Sequence, residues 1–214
     1  MGRGGTITKI ETQKHHPHRC SIFIDNGFAF GLDKEIVLKN DLRVGQELDD
    51  HQIETLLLNE EEKKAKQYAF NLLSYGDRSC RQLRDRLRGE GYDAEIIDRV
   101  VDWLKQVQLL DDERFACQWA RDRLRSKPMG AKLLHQKLRE KGIEPEIVER
   151  TIDNLYGEVS EEELALKLLE SRRERYGDLR SEKFKRQMSD FLLRRGFPWE
   201  TVRETVEKMT SEQT

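Results

Sequence analysis

A glycine-centred pattern of apolar residues occurs three times in this 214-residue sequence, and it constrains the fold more than any other feature. The pattern around Gly91 recurs 51 positions later around Gly142, and after a further 54 positions around Gly196. The matched apolar positions are Leu83, Leu87, Tyr92, Ile97, Val101 and Leu104, then Leu134, Leu138, Ile143, Val148, Ile152 and Leu155, then Met188, Leu192, Phe197, Val202, Val206 and Met209. Units that each expose an apolar stripe are stabilised by stacking on their neighbours, which predicts three tandem repeats in a curved solenoid.

Helix start and stop signals divide each repeat into three helices. Ser79 with Gln82, and Ser160 with Glu163, are capping boxes, in which side-chain oxygens satisfy the free backbone N–H groups of a first turn. The residues expected to end a helix in a left-handed conformation, or to stand where the next helix begins, are Gly91, Gly142, Gly157, Gly196, Pro145 and Pro198. We therefore predict about nine helices, and the first helix of each repeat should lie around residues 65–73, 115–123 and 164–172.

The first 58 residues have a strand-like pattern that the rest of the chain lacks. Alternation predicts a strand over residues 6–13, and Asn26-Gly27 predicts a type I′ turn between two further strands within residues 19–32. Caps of two following helices are predicted at Asp33, and at Asp49 or Asp50. The chain is thus a mainly α protein with a small strand-containing N-terminal module and three repeats, with predicted boundaries 1–58, 59–109, 110–157 and 158–214.

Charge is segregated along the repeats although the total nearly cancels, with 39 basic and 41 acidic residues. Residues 78–88 carry five arginines and one acid, and residues 121–141 carry eight basic residues and two acids. Residues 90–113 and 144–163, which contain third helices, each hold eight acids. Any attraction to an acidic partner or to nucleic acid must therefore come from the second helices, because the net charge is only −2.

A basic strip is predicted on the second helices. At about 100° per residue, Arg81, Arg84 and Arg88 lie on one stripe beside the apolar face of Leu83 and Leu87. We define the basic strip as these three arginines together with their repeat equivalents Lys132, His135, Arg139 and Arg186. Such a strip could contact an acidic protein face or a phosphate backbone. The alternative, in which these charges are solvated or pair with acids of adjacent helices, stays open, because exposed ion pairs contribute only about 0–1 kcal/mol.

Residue types that could perform chemistry are present without the spacing that chemistry requires. His15, His16, His18 and Cys20 could be metal ligands, but an extended segment split by a proline favours a polar turn. The sequence has neither a phosphate-binding glycine loop nor a zinc-protease motif. Its three cysteines suit reduced thiols in the cytoplasm, and no apolar run is long enough to span a membrane. We predict a non-catalytic, cytoplasmic monomer without cofactor or metal.

The order and spacing of several short motifs resemble the RecX family of bacterial recombination regulators. These motifs are Tyr68-Ala69, Leu72-Leu73, Arg78-Ser79, Gly91-Tyr92, Leu110-Asp111-Asp112, Phe115-Ala116 and Lys141-Gly142-Ile143. The resemblance is fullest over residues 62–156. Residues 160–210 are similar to the family's more variable third unit, and residues 1–58 to the strand-containing extension of its longer members.

The resemblance implies a modulator of the RecA recombinase that lodges in the helical groove of the filament on single-stranded DNA. It further implies that the protein limits filament growth, ATP hydrolysis and co-protease activity. The basic strip is then the expected partner-binding surface, and no catalytic residue is needed. The alternative is a helical-repeat protein that binds DNA phosphates through the same strip.

Overall fold

The computed structural model describes residues 4–173 and 181–211, which form an antiparallel sheet followed by helices. The strands are β1 (Gly5–Gln13), β2 (His16–Ile24), β3 (Gly27–Asp33) and β4 (Glu47–Leu48). The helices are α1 (Lys34–Lys39), α2 (Asp50–Ser74), α3 (Cys80–Gly89), α4 (Ala94–Gln106), α5 (Asp112–Ser126), α6 (Ala131–Glu140), α7 (Pro145–Glu158), α8 (Glu161–Arg173), α9 (Glu182–Arg194) and α10 (Trp199–Ser211). The predicted fold class, three tandem three-helix repeats after a strand-containing module, is confirmed.

Two compact units divide the chain. The first comprises Met1–Gly76 and Arg84–Gln106, and the second comprises Asp77–Leu83 and Val107–Thr214. The N-terminal turn of α3 therefore belongs to the second unit, and the remainder of this helix belongs to the first. Helix α2 runs for 25 residues without interruption through the predicted boundary between residues 58 and 59.

The sheet has the strand order β3-β2-β1-β4, and its hairpin turn differs by one residue from the prediction. The sequence predicted Asn26-Gly27 as the two left-handed residues, but the residues with positive φ are Asp25 (47°) and Asn26 (68°). Gly27 already pairs with Ile24 as the first residue of β3. Asp and Asn tolerate the left-handed region because their short polar side chains form local hydrogen bonds, so the turn does not require the glycine.

A buried carboxylate connects α2 to the sheet. Glu60 is only 3% exposed, and its carboxylate accepts hydrogen bonds from the backbone N–H of Asp33 (2.6 Å) and from Arg19 Nη1 (2.5 Å). A buried charge is tolerated only when it is paired and hydrogen-bonded, and Glu60 meets both conditions. The N-terminal part of α2 is thereby bonded to β2 and to the end of β3.

Capping follows the predicted positions. Asp33 accepts from the backbone N–H of Glu35 at the start of α1, and Asp49 forms a capping box with Gln52 at the start of α2. In α3 the predicted box is also formed, since Ser79 N–H donates to Gln82 Oε1 (3.1 Å) and Gln82 N–H donates to Ser79 Oγ (3.2 Å). The remaining predicted starts agree as well: Ser160 Oγ accepts from Glu163 N–H, Pro145 is the first residue of α7, and Pro198 directly precedes α10.

Three of the four predicted helix-ending glycines are confirmed. Gly91, Gly142 and Gly196 have φ values of 91°, 81° and 84° and follow α3, α6 and α9. The prediction for Gly157 is wrong, because α7 continues to Glu158. No atom would lie within 4 Å of a Cβ at Gly157, so this glycine sits on an open helical surface, a position where glycine is tolerated at a cost of about 1 kcal/mol.

The matched apolar positions form the interior of each repeat. All of them are buried except Tyr92 and Ile152, which are half-buried. In the second repeat they pack with the α5 residues Phe115 and Ala116, and in the third with the α8 residues Ala165 and Leu169. The sequence pattern thus identified the core of the helical part of the chain.

Candidate partner-binding surface

Four hydrogen bonds place the first turns of α3 and α6 in equivalent environments within the second unit. Ser79 Oγ donates to the Lys141 carbonyl (2.6 Å), and Gly130 N–H donates to the Arg195 carbonyl (3.0 Å). The residue that follows each donor makes the second bond: Cys80 N–H donates to Asp112 Oδ1 (2.8 Å), and Ala131 N–H donates to Glu161 Oε1 (2.7 Å). The helices that carry the basic strip are therefore anchored in the same way at both positions.

Two residues of the basic strip pair with the third helix of their own repeat. Arg84 Nη2 lies 3.0 Å from Asp98 Oδ1 in α4, and His135 Nε2 lies 3.3 Å from Glu149 Oε1 in α7. Both residues of the second pair stand 51 positions after those of the first, so one contact occurs in two repeats. For these positions the open alternative, pairing with acids of an adjacent helix, is what the structure contains.

A third strip residue, Arg88, pairs within its own helix. Its Nη1 lies 3.0 Å from Asp85 Oδ1, one turn earlier in α3. Both side chains are more than half exposed, so solvent screens this pair and it contributes little to stability. Arg84 and Arg88 belong to the first unit, and the other strip residues belong to the second.

The remaining strip residues form an unpaired subset. Arg81, Lys132, Arg139 and Arg186 are exposed, and none makes an ion pair with a carboxylate of residues 4–173 or 181–211. Arg81, Lys132 and Arg186 are repeat equivalents at the second or an early position of α3, α6 and α9. Their charges are available to a partner, whereas the side chains of Arg84 and His135 already contact Asp98 and Glu149. That the whole strip forms one continuous surface stays a prediction.

Arg81 has a packing role besides its charge. A Cβ at Gly142 would lie 2.4 Å from Arg81 Cβ and 2.1 Å from Arg81 Cδ, so the arginine stem lies directly over the glycine. Long basic side chains commonly bury their stems in this way while the charged head stays in water. Gly142 is therefore required both for its positive φ and for this close approach.

Cation–aromatic contacts form a second feature, one that was not predicted from the sequence. In the first unit, a groove of about 420 Å³ is lined in part by Lys63, Lys66, Phe70 and Trp103. Lys66 Nζ lies 4.6 Å from the Trp103 ring centroid, and the Phe70 and Trp103 rings meet edge to face at 5.5 Å. Trp103 is half-buried, so part of its ring is available to this groove. The sequence does contain a signal for this groove, because Lys66 lies one helical turn before Phe70 on α2.

The cysteine and histidine cluster does not assemble as a ligand set. Cys20 is buried at 4% exposure, while His15, His16 and His18 are exposed. Within the part of the chain that the structure describes, no three His, Cys, Asp or Glu side chains converge as metal ligands would. No described helix is long and apolar enough to cross a membrane.

The pKa values of two carboxyl groups at helix starts are shifted in opposite directions. Burial raises the pKa of Glu161, and the hydrogen bond from Ala131 N–H only partly opposes that effect. Burial also acts to raise the pKa of Asp33, but hydrogen bonds from Lys63 and from Glu35 N–H, with the charges of Lys63 and Arg19, outweigh it and lower the pKa. Both groups accept a hydrogen bond from the first turn of a helix: Glu161 from α6 and Asp33 from α1.

Four consecutive segments of the chain match the domains of one protein family. Residues 5–49 match the regulatory protein RecX N-terminal domain. The first, second and third three-helix domains of RecX match residues 65–104, 111–152 and 160–206. The matches therefore include both the sheet and all three helical repeats.

Individual relatives agree with these matches. Regulatory protein RecX of Clostridioides difficile is 31% identical over 205 residues, which is 96% of this chain and 96% of the relative. Regulatory protein RecX of Bacillus licheniformis is 30% identical over 196 residues, covering 92% of this chain and 74% of the relative. A crystal structure of regulatory protein RecX superposes with a TM-score of 0.77 at 26% identity, over 97% of this chain and 99% of its own. The chain therefore belongs to the RecX family, which is named for regulation and not for an enzymatic reaction.

Proposed function

We infer that this chain binds the filament of the RecA recombinase and limits its assembly, ATP hydrolysis, recombination and co-protease activity. Its setting would be homologous recombination, DNA repair and the SOS response in the cytoplasm, where it acts as a monomer without a cofactor. The observation that carries this proposal is family membership over all four domains, from residue 5 to residue 206. A regulator of this kind acts by occupying a surface, so it needs no catalytic group.

The unpaired subset of the basic strip, Arg81, Lys132, Arg139 and Arg186, is the surface we assign to the filament. These cations are exposed and make no ion pair within the described residues, so a partner would not have to displace an internal carboxylate. Arg84 and His135 would contribute less, because contact with a partner competes with Asp98 and Glu149. Complementary charge mainly increases the association rate and the specificity of a complex.

DNA-dependent ATP hydrolysis by the cognate RecA tests the proposal. RecA is assembled on single-stranded DNA and titrated with the full-length protein, and the hydrolysis rate is followed at constant salt. We expect the rate to fall by more than half when the two proteins are equimolar. An unchanged rate up to a tenfold excess over RecA would refute the proposal.

A second candidate function is direct binding to DNA phosphates through the same unpaired subset. The observation that favours it is the exposed, repeat-related placement of Arg81, Lys132 and Arg186 without carboxylate partners. Because each neutralised phosphate of single-stranded DNA releases counterions, the logarithm of affinity should fall with that of salt concentration by about 0.7 per contact. A slope of about −2 to −3 in the absence of RecA would support this function, and no binding to DNA alone would remove it.

A further inference from the structure

One docking arrangement occurs twice inside this chain. The end of a second helix offers a backbone carbonyl, and the start of the first helix in the same repeat offers a carboxylate. In the second repeat these are the Lys141 carbonyl and Asp112, and in the third they are the Arg195 carbonyl and Glu161. Each pair of acceptors binds the first turn of the second helix from the preceding repeat. We call this combination of carbonyl, carboxylate and adjoining left-handed glycine the docking site.

The two segments that bind the docking sites share a chemical pattern. In Ser79-Cys80-Arg81 and in Gly130-Ala131-Lys132, the N-cap residue is small, the next is small, and the third is basic. Ser79 is fully buried and Cys80 is 4% exposed, while the basic residue is exposed. A leucine two residues later, Leu83 or Leu134, is fully buried in both helices. The docking site therefore accepts a helix N-terminus of defined composition.

Close backbone approach explains why small residues are needed on both sides. A Cβ at Gly130 would lie 2.3 Å from the Gly196 carbonyl oxygen, and a Cβ at Gly196 would lie 2.5 Å from Leu133 N. Cβ atoms essentially never approach other heavy atoms so closely, and here the neighbours are backbone atoms that cannot swing away. Glycine is consequently required at this contact for steric reasons as well as for its positive φ.

The first repeat contains the same three elements at its equivalent positions. Glu61 stands 51 positions before Asp112, Glu90 stands 51 before Lys141, and Gly91 stands 51 before Gly142. Unlike Asp112, Glu61 lies within a longer helix, α2, and not at a helix start. All three are exposed, and Gly91 has the left-handed φ of 91°. No atom would lie within 4 Å of a Cβ at Gly91, in contrast to Gly142 and Gly196. The docking site of the first repeat thus faces open space in the first unit.

Two tyrosines order this exposed surface. Tyr68 Oη donates to Glu90 Oε1 (2.9 Å), and the rings of Tyr68 and Tyr92 are 6.4 Å apart. Burial raises the pKa of Tyr92, and the charges of Glu90 and Glu61 raise it further, in keeping with the proximity of all three side chains. Glu90 replaces the basic residues Lys141 and Arg195 of the other docking sites, so the site of the first repeat is acidic.

We propose that Glu61, Glu90, Gly91 and Tyr92 form a third docking site, which binds the N-terminal turn of a helix from a partner protein. The partner helix should have Ser or Gly as its N-cap, a small first residue and Lys or Arg as its second residue. The two acids complement that basic residue and the positive end of the helix dipole. The site goes beyond the proposed regulation of RecA, and it does not depend on the identity of the partner.

A peptide copied from this chain is a suitable probe. The N-acetylated peptide of residues 128–141 carries the Gly130-Ala131-Lys132 segment that binds the docking site of the third repeat. We would add it to the ¹⁵N-labelled full-length protein and record amide chemical shifts. We expect saturable changes centred on Glu61, Glu90, Gly91 and Tyr92. Changes centred on Arg195 and Gly196 instead, or no changes at millimolar peptide, would overturn the proposal.

Matched variants make the experiment specific. Glu61→Lys removes the carboxylate that should accept from the peptide, and we expect it to weaken binding about tenfold, as for loss of a charged hydrogen bond. Glu54→Lys is the control, because Glu54 is also exposed on α2 and the change in charge is the same. The same peptide carrying Lys132→Glu should also bind the wild-type protein weakly. Its affinity should not exceed the affinity of the unchanged peptide for Glu61→Lys. Equal binding to both protein variants would contradict the assignment.

Sedimentation of the unlabelled protein separates a partner from a second copy. We expect a monomer at all concentrations, for both wild type and Glu61→Lys. A dimer that forms with increasing concentration and disappears in Glu61→Lys would identify a second copy as the occupant and overturn the assignment to another protein. Inhibition of RecA by Glu61→Lys is measured in parallel. Because this variant leaves the unpaired subset of the basic strip unchanged, the measurement distinguishes failure of the third docking site from failure of the proposed function.

Discussion

The hydroxyl of Ser79 donates a 2.6 Å hydrogen bond to the backbone carbonyl of Lys141, 62 residues further along the chain. Ser79 is fully buried, and the same hydroxyl oxygen accepts from Gln82 N–H as the cap of α3. One side chain therefore caps the start of α3 and joins this helix to the next repeat.

Ser79→Ala should lower the free energy of unfolding by about 1–3 kcal/mol, since it removes a cap and leaves a buried carbonyl without its donor. Urea unfolding followed by circular dichroism measures the change. Ser126→Ala is the matched control, because Ser126 is exposed and bonds only within its own helix. Equal effects of the two substitutions would show that the bond to Lys141 contributes nothing.

Glu60→Ala should lower the free energy of unfolding by about 3–5 kcal/mol, because it leaves Arg19 and the Asp33 N–H without a buried acceptor. Glu11→Ala breaks the exposed pair with Lys9 and should cost less than about 1 kcal/mol. Hydrogen exchange of β2 and β3 amides provides the measurement, and it should accelerate only in Glu60→Ala. Unchanged exchange in that variant would contradict the role assigned to Glu60.

Alanine substitutions at two glycines should change the stability of the protein in opposite directions. Gly130→Ala places a Cβ 2.3 Å from the Gly196 carbonyl oxygen and should destabilise the protein by several kcal/mol, on the order of 2–4. Gly157→Ala adds a methyl group to an open position of α7 and should stabilise it by up to about 1 kcal/mol. Thermal unfolding reports both. A neutral Gly130→Ala would mean that the two repeats do not approach as closely as described.

Asp33 should make stability sensitive to acid. Its pKa in the folded protein is lowered, because hydrogen bonds and charge from Lys63 outweigh the effect of burial. A lowered folded pKa stabilises the protein at pH values above the unfolded pKa of 3.8, and this contribution is lost as pH falls through the folded pKa. Wild type should therefore exceed Asp33→Asn in stability above about pH 4, and the difference should shrink below it. A difference that does not change with pH would exclude this linkage.

Much of the helical fold was predictable because one physical requirement recurs in each repeat. The left-handed glycines at positions 91, 142 and 196 and the apolar residues around them follow from local rules of helix ending and burial. Gly157 obeys the same local rule in sequence yet lies inside α7, which continues to Glu158. Local signals place elements well but do not by themselves fix the residue at which a helix ends.

The position of the basic strip was predictable from the sequence, but the ion pairs that its residues form were not. Helical periodicity placed Arg84 and His135 on the basic strip, but it carries no information about the distance to the third helix. That distance is what makes Asp98 and Glu149 their partners. The same 51-residue comparison, applied to the acids, would have revealed both pairs. The contact between Gly130 and Gly196 had no such signal, because it joins two loops that are far apart in sequence.

Half-inhibition of RecA ATP hydrolysis by charge variants tests the central claim most directly. The test variant combines Lys132→Ala, Arg139→Ala and Arg186→Ala, leaving Arg81 in place because its stem packs on Gly142. The control combines substitutions to alanine at Lys14, Lys105 and Lys208, which are also exposed. It removes the same amount of positive charge as the test variant. We predict that the test variant needs at least about tenfold more protein than wild type, whereas the control matches wild type. Equal inhibition by all three proteins would contradict the assignment of the basic strip to the filament.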